Sequence, residues 1–143
     1  MVRQKINSRV KLLEHKHIII RAEVLDPPRA EQSTSEQVKT LINDIGMKIM
    51  MGPFAARSDM VGNAGLTVAT IIETSHVVLH TWDEVSPALM QLDVYTCSHL
   101  EPKIVFNWLE QYKPTKIDYK YIDREFKLDF KRKKFKVFAK EIV

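Results

Sequence analysis

Leu66-Thr67-Val68-Ala69-Thr70-Ile71-Ile72-Glu73-Thr74-Ser75-His76-Val77-Val78-Leu79-His80-Thr81-Trp82 is the stretch that decides the fold. Leu66 to Glu73 holds almost no polar residues and predicts one strand, and after a break near Thr74-Ser75, Val77 to Thr81 predicts the next. Outward from there, Gly62-Asn63-Ala64-Gly65 reads as a turn and Met90 to Thr96 as a further strand. Lys48 to Met51 predicts a strand ended by Gly52-Pro53, and His17 to Val24 predicts the first, closed by Asp26-Pro27-Pro28. Between them, Val38, Leu41, Ile42 and Ile45 recur at helical spacing, so Ser33 to Ile45 predicts an amphipathic helix stopped by Gly46. Ile104, Trp108, Leu109 and Tyr112 give a second helix, stopped by Pro114. Lys116 to Ile122 and Phe126 to Phe138 read as further extended segments. The order β-α-β-β-β-β-α-β, with one more strand at the end, favours an α+β two-layer sandwich: a mainly antiparallel sheet with two helices on one face.

The 143 residues suit one domain, and 45% hydrophobic with 28% charged residues is ordinary for a globular chain. No apolar run is long enough to span a bilayer, and Met1-Val2-Arg3-Gln4-Lys5 does not read as a signal peptide. A single cysteine forms no internal disulfide, so a cytoplasmic location is expected. The charge is uneven. Lys127, Lys131, Arg132, Lys133, Lys134, Lys136 and Lys140 stand against Asp129 alone, a local +6, which leaves about −2 for the rest of a chain whose total is +4. Residues 124–143 thus form a basic extension of the single domain 1–143. Phe130, Phe135 and Phe138 interleave with its lysines as in nucleic-acid binders. The slightly acidic main body argues against that partner, and the expectation is that Phe126, Leu128 and Phe130 share one covered face of a strand while the lysines face water.

Ser75, His76, His80 and Cys97 place reactive groups in strand-forming sequence, where polar side chains cost stability. On a helix the spacing of His76 and His80 would suit zinc, with Cys97 as a third ligand. On a strand, residues four apart lie about 13 Å from one another, too far to share an ion, so no metal is expected. No Gly-x-Ser-x-Gly elbow surrounds Ser75, which argues against a hydrolase. Residue types alone leave another reading open: Ser75 a turn residue, His80 a satisfied core histidine, Cys97 a small buried hydrophobe.

The arrangement as a whole resembles the prokaryotic-type S-adenosylmethionine decarboxylases. In that family a Glu-Ser-His tripeptide runs into a His-Thr-Trp-Pro-Glu segment, followed by an Asp-Val-(aromatic)-Thr-Cys strand. The counterparts here are Ser75-His76, His80-Thr81-Trp82-Asp83-Glu84 and Asp93-Val94-Tyr95-Thr96-Cys97, with a Gly-x-(Ser/Thr) turn at Gly65-Leu66-Thr67. The resemblance covers most of the chain up to Arg124. It implies a homodimer that cleaves its own Thr74–Ser75 bond and converts Ser75 into a pyruvoyl group. The hydroxyl of Ser75 would attack the Thr74 carbonyl to form an ester. Loss of the Ser75 α-proton, assigned by resemblance to His80 as base, would then eliminate the ester, and hydrolysis of the dehydroalanine would give the ketone. Thr67 matches a family serine that assists processing. The ketone would form an imine with the amine of S-adenosylmethionine and accept electrons as carbon dioxide leaves. Cys97 matches the cysteine that returns the proton, and Trp82 and Glu84 match positions that contact adenine and ribose. The product would be the aminopropyl donor for spermidine synthesis.

Three positions depart from the family pattern. Thr74 stands where glutamate is usual, Asp83 replaces a proline, and Val61 stands where an aromatic should face the tryptophan, with Phe54 the nearest ring. The loop from Glu84 to Cys97 is also longer by about two residues than the family pattern. Two other readings follow: a pyruvoyl-dependent decarboxylase of arginine or ornithine, or a non-processed relative that binds a ligand or a protein.

Overall fold

The computed structural model describes residues 13–130 in full, with the backbone alone of residues 131, 136–137 and 140–141. The elements run β1 (Lys16–Val24), α1 (Glu31–Asp44), β2 (Ile49–Ser58), β3 (Gly65–Ile72), β4 (Ser75–Trp82), β5 (Ala88–Thr96) and α2 (Pro102–Leu109). A 3-10 turn (Glu110–Tyr112), β6 (Pro114–Asp123) and β7 (Asp129–Lys131) follow. Two-residue strands β8 (Lys136–Val137) and β9 (Lys140–Glu141) pair with each other. The main sheet has the order β2-β3-β4-β5-β1-β6-β7, and each neighbouring pair is antiparallel. The chain is an α+β two-layer sandwich, as its pattern of elements predicts.

Alternation along each strand sorts the two faces. Ile18, Ile20, Ala22 and Val24 of β1, Val77 and Leu79 of β4, and Met90, Leu92 and Val94 of β5 are fully buried toward the helices. Val38, Leu41 and Ile42 of α1 meet them, with Val105, Phe106 and Leu109 of α2. Burying each of these side chains larger than alanine contributes about 1.5–3 kcal/mol, so this layer carries most of the fold's stability. Trp108 Nε1 donates to the Gln37 carbonyl at 2.8 Å and the Tyr112 hydroxyl to Gln37 Oε1 at 2.5 Å, which ties α2 to α1. Gly46, at φ 73°, ends α1 as a left-handed cap. The opposite face of the sheet has no helix over it among the described residues, and it carries the alternate set: Ile19 and Arg21, Ile71, His76, Val78 and His80, Gln91 and Asp93.

Three expectations change. Strand β2 does not stop at Gly52-Pro53 but runs on to Ser58, with its register shifted around them. An edge strand tolerates a proline because one side of its backbone faces no ladder. Second, Gly65-Leu66-Thr67 is the start of β3 and not a turn; the turn lies at residues 61–62. A Cβ on Gly65 would sit 1.8 Å from the Thr81 carbonyl oxygen, so glycine is required by close backbone approach. Third, Phe126, Leu128 and Phe130 do not share a covered face: they are 99%, 70% and 65% exposed. Strand β7 begins only at Asp129, after a bend that breaks the alternation. Phe135 and Phe138 lie outside the described residues. No described helix is long and apolar enough to cross a membrane.

Candidate active site

The β3–β4 hairpin places the candidate residues in two groups, one at each end of β4. At the start of β4, the link between Ile72 and Ser75, which are partners in the ladder, is only Glu73 and Thr74. The Ser75 hydroxyl donates to the Glu73 carbonyl at 2.8 Å. Extending the β4–β5 register by two residues puts Cys97 opposite Thr74, and its thiol donates to the same Glu73 oxygen at 3.1 Å. The only thiol of the chain is therefore held beside the serine by a contact 24 residues distant in sequence. A break of the Thr74–Ser75 bond would open the loop and leave the β3–β4 ladder intact. The two pieces would stay joined by that ladder and by the pairing of β1 with β5 and β6.

Further along β4, Thr67 and His80 are cross-strand partners, and Thr67 Oγ1 lies 2.8 Å from His80 Nδ1. Both point to the uncovered face. Trp82 is next on that face, its ring centroid 6.1 Å from that of His80, and its Nε1 donates to Asn63 Oδ1 at 2.8 Å. The Glu84 carboxylate accepts from the amides of Gly62 and Ala64 at 3.0 and 2.8 Å. Those amide hydrogen bonds, Ala64's first, hold its carboxyl below the usual carboxylate range. Glu84 thus anchors the turn that carries Asn63 beneath Trp82. Val61 on the same turn is 92% exposed, and Phe54 pairs with Ala69, away from the Trp82 row.

Ser75 and His80 do not meet within one chain. They stand five positions apart along β4, about 16 Å, and an odd separation sends their side chains to opposite faces.

Two arrangements escape a reading of the sequence alone. Asp83 is buried and takes a two-pronged ion pair from Arg57 at 2.7 and 2.9 Å, with Arg29 at 3.2 Å. The Arg57 hydrogen bonds hold its carboxyl below the usual range against the opposing effect of burial. The second is a cluster on the uncovered face, where Asp93 Oδ1 lies 2.6 Å from His17 Nε2 and 2.9 Å from His76 Nε2. Burial works to raise the Asp93 carboxyl, but the hydrogen bonds from His17 and then His76 prevail and lower it. The three candidate ligand atoms lie within 4.8 Å of one another, as a metal site would need. Arg124, stacked over Tyr95 at 4.2 Å, stands 3.2 Å from His17 Nδ1. A guanidinium can only donate, so Nδ1 accepts and the proton sits on Nε2, directed at Asp93. That tautomer makes the cluster a hydrogen-bonded clamp whose His17 nitrogen has no free lone pair for an ion. His76, Asp93, Ile19, Arg21, His80 and Gln91 line a groove of about 490 Å³ on this face. Only the strand register, invisible in the sequence, brings His17 to Asp93.

A family model described as S-adenosylmethionine decarboxylase matches residues 16–125. The S-adenosylmethionine decarboxylase proenzymes of Pyrobaculum arsenaticum and Pyrobaculum islandicum are 44% and 42% identical over 64 residues, 43% of this chain and 50% of theirs. The arginine decarboxylase proenzyme of Aeropyrum pernix is 39% identical over 62 residues, 42% of this chain and 46% of its own. The chain thus aligns with about half the length of these curated relatives. The crystal structure of the adenosylmethionine decarboxylase from Aquifex aeolicus shares the fold, with a TM-score of 0.62 at 19% identity over 80% of this chain and 92% of that one.

Proposed function

The chain belongs to the S-adenosylmethionine decarboxylase family, and from that premise we propose that it is a self-processing, pyruvoyl-dependent S-adenosylmethionine decarboxylase supplying the aminopropyl donor for spermidine synthesis. The observation that carries this reading is the convergence of the Ser75 hydroxyl and the Cys97 thiol on one carbonyl beside the Thr74–Ser75 bond. The site fits a group made from Ser75: the residue heads β4, is not buried, and has a proton source beside it. When formed, the pyruvoyl group supplies a ketone that takes up the substrate amine and draws electrons as carbon dioxide leaves. Cys97 then holds the proton that returns to the substrate carbon, a role open to a thiol placed beside Ser75. Thr67 orients the His80 ring through Nδ1, which leaves Nε2 for proton transfer at Ser75 during processing.

Because His80 and Ser75 sit about 16 Å apart on opposite faces, His80 serves the serine of a second copy. Ser75 heads β4, at the strand end, where a second copy docked through the uncovered face can bring its own His80, so a homodimer is part of the proposal. Exposed Ile19, Ile71 and Phe54 on that face supply apolar area for the contact. Trp82 offers its ring to a nucleoside base, and Glu84, with one amide on each oxygen, keeps lone pairs for ribose hydroxyls.

A second reading changes the substrate to arginine. It is favoured by the Aeropyrum relative and by Val61, which faces water where the resemblance would have an aromatic. Intact-mass measurement tests the core proposal: the chain should resolve into fragments 1–74 and 75–143, the second reactive toward carbonyl reagents. A persistent single species of 16.6 kDa overturns it. Carbon dioxide release from S-adenosylmethionine, set against arginine and ornithine, then decides the substrate.

A further inference from the structure

We infer that the left-handed backbone of Thr74 is a working part of self-cleavage: it holds the residue whose carbonyl Ser75 attacks in a conformation that the acyl shift relieves. This rests on the processing reading above and assigns Thr74 as a positioning residue. Thr74 has φ 50°, a region that strongly disfavours β-branched residues because their side chain crowds the backbone. Among the described non-glycine residues only Lys113 shares a positive φ, and it lies just past the turn that ends α2, where an unbranched side chain at such an angle is ordinary. Two-residue hairpin links call for glycine or asparagine at a left-handed position. At the candidate scissile bond the chain instead has threonine, a β-branched residue poorly suited to the geometry.

The surroundings keep Thr74 from relaxing. Ile72 and Ser75 are locked as ladder partners on either side. The Glu73 amide donates to the Lys48 carbonyl at 3.1 Å, and the Glu73 carbonyl takes the Ser75 and Cys97 donors. Strain of this kind persists only where neighbours over-determine it, and it gathers at reacting positions. The step that would release it is balanced within the chain. Ser75 Oγ bonds to the Thr74 carbonyl carbon, the carbon–nitrogen bond of the peptide breaks, and the hydroxyl proton passes to the freed Ser75 nitrogen. Ester and amine together contain every atom of the original amide, so no co-reactant is needed. Once that bond is gone, Thr74 is no longer pinned to the head of β4 through its peptide and its φ can leave the left-handed region.

The test is a time course of intact mass on the full chain after cell-free synthesis, for wild type, Thr74→Gly, Thr74→Asn and Thr74→Ala. Gly and Asn, which accept positive φ, should slow conversion to fragments 1–74 and 75–143 by about tenfold. Ala, which keeps a Cβ but loses the branch, should fall between. On a Ser75→Ala background, which removes the attacking hydroxyl, Thr74→Gly should raise Tm. A slower cleavage together with a higher Tm supports the inference, since mere damage to the hairpin would lower both. A wild type that cleaves while Thr74→Gly keeps pace, or a Thr74→Gly that leaves Tm unchanged or lower, overturns the role of Thr74 alone. A wild type that never cleaves overturns this inference and the processing reading together.

Discussion

Asp83 shows how one residue can alter the site region without touching reacting atoms. Its carboxylate is buried between Arg57 and Arg29, at the point where β4 hands over to the loop carrying Glu84. The Arg57 hydrogen bonds place its folded pKa below the unfolded value of about 3.9. The pair therefore stabilises the fold fully above that pH, and its contribution is lost as pH falls through the lower, folded pKa. Asp83→Asn should lower the urea midpoint by a constant amount between pH 5 and 8. Below about pH 4 the gap to wild type should close, which a series of urea melts would detect. A gap independent of pH would mean that shape, and not charge, is what Asp83 contributes. Nothing local in the sequence announces this pair: its partners are 26 and 54 residues away, and a charged residue at a strand end reads as solvated.

At the scale of elements, the β3–β4 hairpin sets the distance between the two halves of the site. Its alternation was legible, since Val68, Thr70 and Ile72 on one strand and Val77, Leu79 and Thr81 on the other are all buried. What Gly65 does was not legible, because its reason is a backbone from the neighbouring strand. A methyl group there would collide with main-chain atoms of Thr81 that have no rotamer by which to escape. Gly65→Ala should cost on the order of 3 kcal/mol or more, read as a fall in Tm and in the urea midpoint. It should also move His80 away from Thr67. A neutral outcome would mean that β3 can slide relative to β4. The basic segment after Arg124 shows the reverse failure: its Phe-x-Leu-x-Phe alternation suggests a half-buried strand, yet the bend before Asp129 leaves Phe126 almost fully in water. Period-two patterning reports a face only while the backbone stays extended.

For the whole molecule, the uncovered sheet face is the main consequence of a two-layer design with both helices on one side. It carries His80, Thr67 and Trp82, while Ser75 and Cys97 gather at the strand ends. If His80 acts on a second copy, mixed dimers should recover what each parent lacks. Ser75→Ala chains cannot be cleaved but still offer His80, and His80→Ala chains retain Ser75 but lack the base. Co-expression of the two should restore cleavage of the His80→Ala chain, seen by mass, to up to about half the wild-type extent, because random pairing yields mixed dimers in that proportion. Cleavage of the His80→Ala chain on its own, or no rescue in the mixture, would overturn action between copies.

Sequence by itself determined the periodicities, and through them the elements, the buried set and the α+β class, because burial of alternate residues is written locally along the chain. The motif around Ser75, His80 and Cys97 likewise fixed the family expectation that the matching family model bears out over residues 16–125. Only the tertiary structure decided which groups meet. Antiparallel register brings Cys97 to the carbonyl that Ser75 meets and draws His17 and His76 onto Asp93. Register is a sum of many small long-range contacts, so no window of residues contains it. The strained backbone at Thr74 and the acceptor that Ser75 and Cys97 share exist only in the folded hairpin.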